Sequence, residues 1–60
     1  MWADALRLRA YDYELLAEWH AERAPVDPAS AGSAAGFIVI AIALREVALV
    51  LEAEEERWAA

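Results

Sequence analysis

The chain has 60 residues, no cysteine and a formal net charge of −6, because eleven acidic residues outnumber five basic ones. The lack of cysteine excludes disulfides and thiolate metal sites, and the acidic balance argues against nucleic-acid binding, which needs clustered Lys or Arg. The sequence is rich in Ala, Leu and Glu and contains no Lys, Asn, Gln or Thr. This composition predicts an all-α protein.

The first predicted helix covers residues 2–23 and carries two apolar stripes. The first stripe repeats at spacings of three and four residues, which places its members on one helix face, and only His20 interrupts it. Its members are Leu6, Ala10, Tyr13, Ala17 and Ala24. The second stripe contains Leu8, Leu15 and Trp19, with Leu16 between the two stripes. Because one partner helix covers one stripe, the second needs further cover.

The opposite face of this helix is predicted to be solvated. It carries the charged residues Asp4, Arg7, Glu14, Glu18 and Glu22.

The link between the two helices is predicted at residues 24–27. Pro25 disfavours helical geometry at the preceding residue, so the first helix should end near Arg23. Asp27 and Pro28 then start a second helix, because Asp is a favoured N-cap and the N–H that Pro lacks has no helical partner at the first position. So short a link predicts an antiparallel hairpin.

The second helix is predicted over residues 28–58 and is about 46 Å long. With so short a link, residues that face each other should have numbers that sum to about 52. This pairing places Leu6 opposite Glu46 and Tyr13 opposite Val39. The last turns, LEAEEERWAA, then have no partner in their own chain, and we expect this overhang to meet a second subunit.

The middle of the second helix is apolar on all sides. From residue 34 to residue 51 its only charged residues are Arg45 and Glu46. A single neighbouring helix covers only about a third of such a surface, so the helix is either a membrane span or the centre of a multi-helix core. The isolated hairpin is therefore not expected to be stable.

Arg45 and Glu46 are expected to fill gaps in this core or to reach opposite charges. The candidates within reach are Asp12, Arg7 and Arg9. A buried ion pair of this kind is better evidence for a specified register than for stability.

A membrane span is one interpretation of the second helix. Gly32 and Gly36 form a GxxxG pattern, which brings transmembrane helices into close contact. Against this interpretation, the uninterrupted apolar run ends at Leu44, and Arg45 would lie inside the bilayer at a cost of about 2.5 kcal/mol or more. The flanking EAEEER segment is acidic and offers no positive-inside signal. The sequence therefore argues against a membrane hairpin.

A soluble bundle of several copies is the favoured interpretation, with the second helices inside and the first helices outside. The small residues of ASAGSAAG would let backbones approach closely or leave room for Trp19 and Leu16. Each glycine within a helix costs about 1 kcal/mol relative to alanine, so two of them indicate a steric demand. The residues expected at the contact between copies are Trp19, Gly32, Gly36, Phe37, Ile38, Ile40, Ile42, Leu44, Leu49 and Leu51.

No arrangement of residues points to catalysis, a cofactor or a metal. Ser30 and Ser33 have no base at helical spacing, and there is no phosphate-binding loop. His20 is the single histidine and lacks the Glu-x-x-His spacing of di-iron bundles, so a hydrogen-bonded or helix-terminal role is expected for it. The acidic run near the C-terminus is expected to be a solvated helix end.

The capped DP helix start, the narrow alphabet and the REVALVLEAEEERW stretch resemble de novo designed helical proteins, in particular computationally designed cyclic homo-oligomers. The resemblance extends over the whole chain and is one of style, not a motif match. It implies an all-α, two-helix antiparallel hairpin that assembles into a multi-subunit helical bundle. Its expected partner is itself, as a dimer or a higher cyclic oligomer. C2 is the commonest closed symmetry, whereas the fully apolar circumference of the second helix points to three or more copies. The alternatives are a natural small acidic protein that binds another protein, such as an antitoxin-like or phage regulator, and a small membrane hairpin.

Overall fold

A computed structural model describes residues 2–59 of the chain. Two helices make up the fold: α1, Trp2–Arg23, and α2, Ala29–Ala59. They pack side by side in opposite directions, so the chain is an all-α antiparallel hairpin. The second helix begins one residue later than predicted, at Ala29, and extends to Ala59.

The turn between the helices is closed by backbone hydrogen bonds. The carbonyl of Arg23 accepts from the N–H of Val26 at 3.0 Å and from the N–H of Asp27 at 2.8 Å. The carbonyl of Asp27 in turn accepts from the N–H of Ser30 at 2.9 Å. Pro25 ends α1 because it cannot supply the N–H that a continued helix needs. Asp27 thus lies at the start of α2, where its side chain also accepts a hydrogen bond from the Ser30 hydroxyl at 3.2 Å.

The seam between the helices is built from alanine at seven-residue intervals. Ala3, Ala10 and Ala17 on α1 and Ala41 and Ala48 on α2 are all buried. The larger side chains Leu6, Tyr13, Phe37, Leu44 and Leu51 lie between these alanines and are half-buried. The first stripe predicted for α1 is therefore confirmed as the face that packs against α2.

Alanine in the seam allows the two helix axes to come close. The Cα atoms of the hairpin span 53 × 13 × 8 Å, and the Cα cylinder of one helix is about 5 Å wide. Two such cylinders within a 13 Å width place the axes about 8 Å apart, at the close end of the usual range for packed helices. The hairpin is thus one helix thick, and every other face of each helix is open.

The predicted register is wrong by more than one helical turn at the open end of the hairpin. The Nη2 atom of Arg7 lies 2.9 Å from Glu52, whereas the predicted pairing placed its neighbour Leu6 opposite Glu46. Buried alanines recur at seven-residue intervals on both helices, which allows the two helices to pack closely in the observed alignment. The predicted overhang is also wrong, because Trp2 lies beside the last turns of α2 and lines a cleft with Trp58.

Candidate assembly surface

The ten residues expected at the contact between copies divide into two groups. Phe37, Leu44 and Leu51 are half-buried in the seam of the hairpin itself. The other seven are exposed in the single hairpin, Trp19 on α1 and the rest on α2: Trp19, Gly32, Gly36, Ile38, Ile40, Ile42 and Leu49. The hairpin therefore uses three of these residues for its own packing and leaves seven accessible.

The core of the single hairpin contains only small side chains. Within the described residues, the buried set consists of five alanines and Ser30. Large apolar side chains are instead exposed on both helices, and they include Trp2, Leu8, Tyr11, Leu15, Leu16, Trp19, Ile38, Val39, Ile40, Ile42, Val47, Leu49, Val50 and Trp58. Alanine burial removes little apolar area from water, and the larger side chains of the seam are only half-buried, so one hairpin gains limited hydrophobic stabilisation from its own core.

The two glycines of α2 face open space. A Cβ atom built on Gly32 or Gly36 meets no atom within 4 Å. Within the hairpin they therefore do not admit a close approach of α1, and neither Trp19 nor Leu16 lies across them. Any steric demand for glycine at these positions must come from outside the single chain.

One flank of the seam is charged, and we call Arg7, Glu14, Arg45 and Glu52 the charged flank. Arg45 donates a hydrogen bond to Glu14 across the helices, and Arg7 pairs with Glu52. These partners differ from those predicted for Arg45 because the register is shifted. Arg7 and Glu14 were expected on a solvated face, yet both lie at the edge of the seam, where ion pairs help to specify the alignment of two helices.

Arg7 also bridges the charged flank to the start of α1. Its Nη1 atom lies 3.4 Å from the carboxylate of Asp4, three residues earlier on the same helix. A similar pair within α2 joins Arg57 to Glu54 at 3.3 Å. Exposed pairs of this kind contribute well below 1 kcal/mol each. They therefore orient the side chains of the charged flank but add little to the stability of the hairpin.

The other flank of the seam is aromatic, and we call Tyr13, Trp19, His20 and Phe37 the aromatic flank. Phe37 of α2 stacks on Tyr13 at 5.7 Å and on His20 at 5.5 Å between ring centroids. Trp19 meets the His20 ring edge-on at 4.9 Å, and the Arg23 guanidinium lies 4.6 Å from the centroid of the Trp19 ring. Tyr13 and Glu14 are consecutive and so point about 100° apart, towards opposite flanks.

His20 is tied to the start of α2 through Ser30. Its Nδ1 atom lies 3.5 Å from the Ser30 hydroxyl oxygen, and that hydroxyl donates its one proton to Asp27. With that proton directed at Asp27, the contact is a hydrogen bond only for the tautomer that carries its proton on Nδ1. This order differs from that of a nucleophilic triad, in which the histidine accepts the serine proton. The arrangement is thus a link between the two helices at the closed end.

Among the clefts formed by residues 2–59 are two that are lined by tryptophan. The first lies at the open end, has a volume of about 380 Å³ and is lined by Trp2, Leu51, Glu54, Glu55 and Trp58. The second lies on the outer face of α1 and is lined by Asp12, Leu15, Leu16 and Trp19. The second apolar stripe predicted for α1 forms this second cleft in part, and its members Leu8, Leu15 and Trp19 are exposed.

The described residues also bear on metal binding and membrane insertion. Across residues 2–59, no group of three or more His, Cys, Asp or Glu residues is placed to hold a metal ion. Of the two helices, Ala29–Ala59 is long and apolar enough, by length and composition, to cross a membrane. Comparison with known proteins gives no match to a family model, to a curated protein or to a solved structure.

Proposed function

We propose that this hairpin is the subunit of a water-soluble, symmetric homo-oligomer and that its function is self-assembly. The observation that supports this proposal is the contrast between an alanine core and exposed large side chains. Trp2, Trp19 and Trp58 are 73%, 51% and 85% exposed. Apolar surface of this extent on one small chain marks a contact surface.

The charge pattern of α1 favours a soluble assembly over a membrane hairpin. α1 packs along α2 from the turn to the Arg7–Glu52 pair. If α2 crossed a bilayer, α1 would enter with it and bring charged residues along its whole length: Asp4, Arg7, Arg9, Asp12, Glu14, Glu18, Glu22 and Arg23. Each charge at the bilayer centre costs about 2.5 kcal/mol or more. In water these residues remain solvated on the outside of the bundle.

A second copy of the same chain is the simplest cover for the exposed faces of α2. Copies of one chain carry matching apolar areas, and closed point-group symmetry is the usual arrangement for soluble assemblies. Ile38, Ile42 and Leu49 lie towards the charged flank of α2, whereas Ile40 and Val47 lie towards the aromatic flank, because residues at these spacings fall on opposite sides of a helix. Because both sides of α2 need cover, the assembly must contain at least two copies of the chain in total.

Light scattering coupled to size-exclusion chromatography tests this proposal. The protein is expressed and purified without detergent and run at concentrations that span two decades. We expect one discrete mass at an integer multiple of the 6.6 kDa chain mass, two or higher. A 6.6 kDa species at all concentrations, or recovery only in detergent, would overturn the proposal and leave a partner protein or lipid as the cover for α2.

A further inference from the structure

The outer surface of α1 carries a strip of residues spaced alternately three and four positions apart, which places them on one side of the helix. The strip begins at Trp2 and ends at Trp19, and it is separate from the face that packs against α2. All of its members are exposed in the hairpin. We call it the outer strip, and it consists of Trp2, Ala5, Arg9, Asp12, Leu16 and Trp19.

Two opposite charges lie at the centre of the outer strip. Arg9 and Asp12 are three residues apart, and neither forms an ion pair among residues 2–59. By contrast, Arg7 and Arg45 each pair with a carboxylate of the opposite helix. The hairpin thus satisfies its charged flank from within and leaves one basic and one acidic group of the outer strip for a partner.

These two charges favour one direction of contact between two copies of the chain. In an antiparallel pair whose facing residue numbers sum to about 21, Arg9 of each copy lies opposite Asp12 of the other. A parallel pair would place each charge against its own kind, and like charges across an interface repel. An antiparallel pair shifted by one seven-residue repeat would place Arg9 opposite Ala5 or Trp19 and would form no charge pair.

The other layers of the same alignment are complementary in size and chemistry. Leu16 of each copy lies opposite the small Ala5 of the other, and a large side chain that faces a small one lets two helices approach closely. Trp19 lies opposite Trp2, and paired aromatic rings make favourable contacts beyond the area they bury. Trp2 and Trp19 are 73% and 51% exposed in the single hairpin, so both rings have surface to bury.

The second apolar stripe of α1 borders the outer strip and gains cover in the same arrangement. Leu8 and Leu15 are 69% and 46% exposed, and they lie along one edge of the strip. In the antiparallel pair, Leu8 of each copy lies beside Leu15 of the other. The cleft lined by Asp12, Leu15, Leu16 and Trp19 is then closed by the first turns of the other copy's α1.

We propose that two copies of the chain pair antiparallel through their outer strips, with Arg9 of each copy ion-paired to Asp12 of the other. This inference rests on the proposed self-assembly and adds to it a two-fold contact between α1 helices. Each layer of the contact occurs twice, as two-fold symmetry requires. The outer faces of α2 remain available to further copies, and the other charged residues of α1 stay outside the strip.

Engineered disulfides test the direction and the alignment, because the chain has no native cysteine. In the double variant Ala5→Cys/Leu16→Cys, the two thiols of one chain lie about 16 Å apart along the helix. A disulfide needs Cα atoms within about 7 Å of each other, so oxidation can only join two chains. We expect a covalent dimer of twice the 6.6 kDa chain mass on denaturing gels without reductant. Each single variant should crosslink about tenfold or more slowly, because equal positions of the two copies are far apart.

The other outcomes separate the inference from the proposed function. Single variants that crosslink as fast as the double variant would show that equal positions meet, and they would overturn the antiparallel contact while self-assembly stands. No crosslink in a protein whose mass is that of an oligomer would place the contact on another surface and overturn the inference as well. No crosslink together with a monomeric mass in light scattering would overturn the inference and the proposed function together.

Charge reversal on separate copies tests the ion pair itself. Arg9→Glu and Asp12→Arg are each added to the double-cysteine variant, which gives one chain with two acids in the strip and one with two bases. Each chain alone places like charges across the contact, and we expect it to crosslink about tenfold or more slowly than the double-cysteine parent.

An equal mixture of these two chains restores opposite charges only between unlike copies, so crosslinking should return towards the rate of the double-cysteine parent. This recovery cannot come from a change within one chain. Circular dichroism of each variant checks that the helices persist. A mixture that crosslinks no faster than either chain alone, with helicity unchanged, would refute the contact of Arg9 with Asp12.

Discussion

Arg45 on α2 donates a hydrogen bond to the carboxylate of Glu14 on α1, 31 positions earlier in the chain. Together with Arg7 and Glu52 it places two ion pairs along one flank of the seam. These pairs are separated by seven residues on each helix, so they repeat with the alanine seam. The positions of these ion pairs therefore show which residues of the two helices are aligned.

The Arg45–Glu14 pair is expected to contribute modestly to stability, because both side chains are close to half exposed. A double-mutant cycle with Glu14→Gln and Arg45→Gln should give a coupling free energy of about 0.2–1 kcal/mol that decreases with added salt. Urea unfolding followed by circular dichroism measures it. A cycle on Glu22 and Arg45, which are not paired in the hairpin, is the control. A coupling above about 2 kcal/mol would mean that the pair is desolvated and would contradict this description.

Substitution of a seam alanine should damage the hairpin. Ala10 is fully buried, so Ala10→Leu inserts three carbon atoms where the helices are closest and should cost about 1–3 kcal/mol or more in unfolding free energy. Ala21→Leu, at an exposed position of the same helix, is the matched control and should cost less than about 0.5 kcal/mol. Equal unfolding free energies for the two variants would show that the alanine seam does not set the packing.

Gly36 should distinguish the single hairpin from the assembly. Gly36→Ala gains helix propensity, and because space is open at this position in the hairpin, we expect stabilisation by up to about 1 kcal/mol. Gly36→Leu retains helicity but should weaken self-association by steric overlap at about 1–3 kcal/mol. Circular dichroism and sedimentation equilibrium report the two effects separately. If Gly36→Leu associates as strongly as the parent protein, Gly36 faces solvent in the assembly.

Asp27 should stabilise the start of α2. Its carbonyl and side chain both accept hydrogen bonds from Ser30, and removal of an N-terminal capping side chain costs about 0.5–2 kcal/mol. We expect Asp27→Ala to lower Tm by roughly 4–8 °C per kcal/mol lost, given the size of the chain. Glu18→Ala, at an exposed position of α1, is the control for loss of one negative charge. An unchanged Tm for Asp27→Ala would show that the Asp27 side chain does not cap α2.

The sequence predicted the hairpin and the packing face of α1 from local patterns. The two prolines marked the turn, and the spacing of Leu6, Ala10, Tyr13 and Ala17 identified the face that meets α2. These features depend on backbone geometry and helix periodicity, which act over a few residues. The antiparallel direction followed from the short link.

The register of the two helices, and the contacts that depend on it, could not be predicted from local sequence patterns. A link of a few residues permits several alignments, and the correct one depends on how Ala10 and Ala17 fit with Ala41 and Ala48, which are far apart in sequence. The partner of Arg45 and the meeting of Tyr13, His20 and Phe37 follow from that alignment. The seven-residue repeat of alanine on both helices is the signal that would have found it.

The dependence of unfolding on protein concentration shows whether copies of the hairpin stabilise one another. If the alanine seam alone is insufficient and copies stabilise one another, Tm measured by circular dichroism must rise as the protein concentration rises, because association binds only the folded state. We predict a steady increase in Tm over two decades of concentration in detergent-free buffer. A Tm that stays constant over this range would show that the single hairpin is stable by itself, and it would contradict the proposal that self-association stabilises the fold.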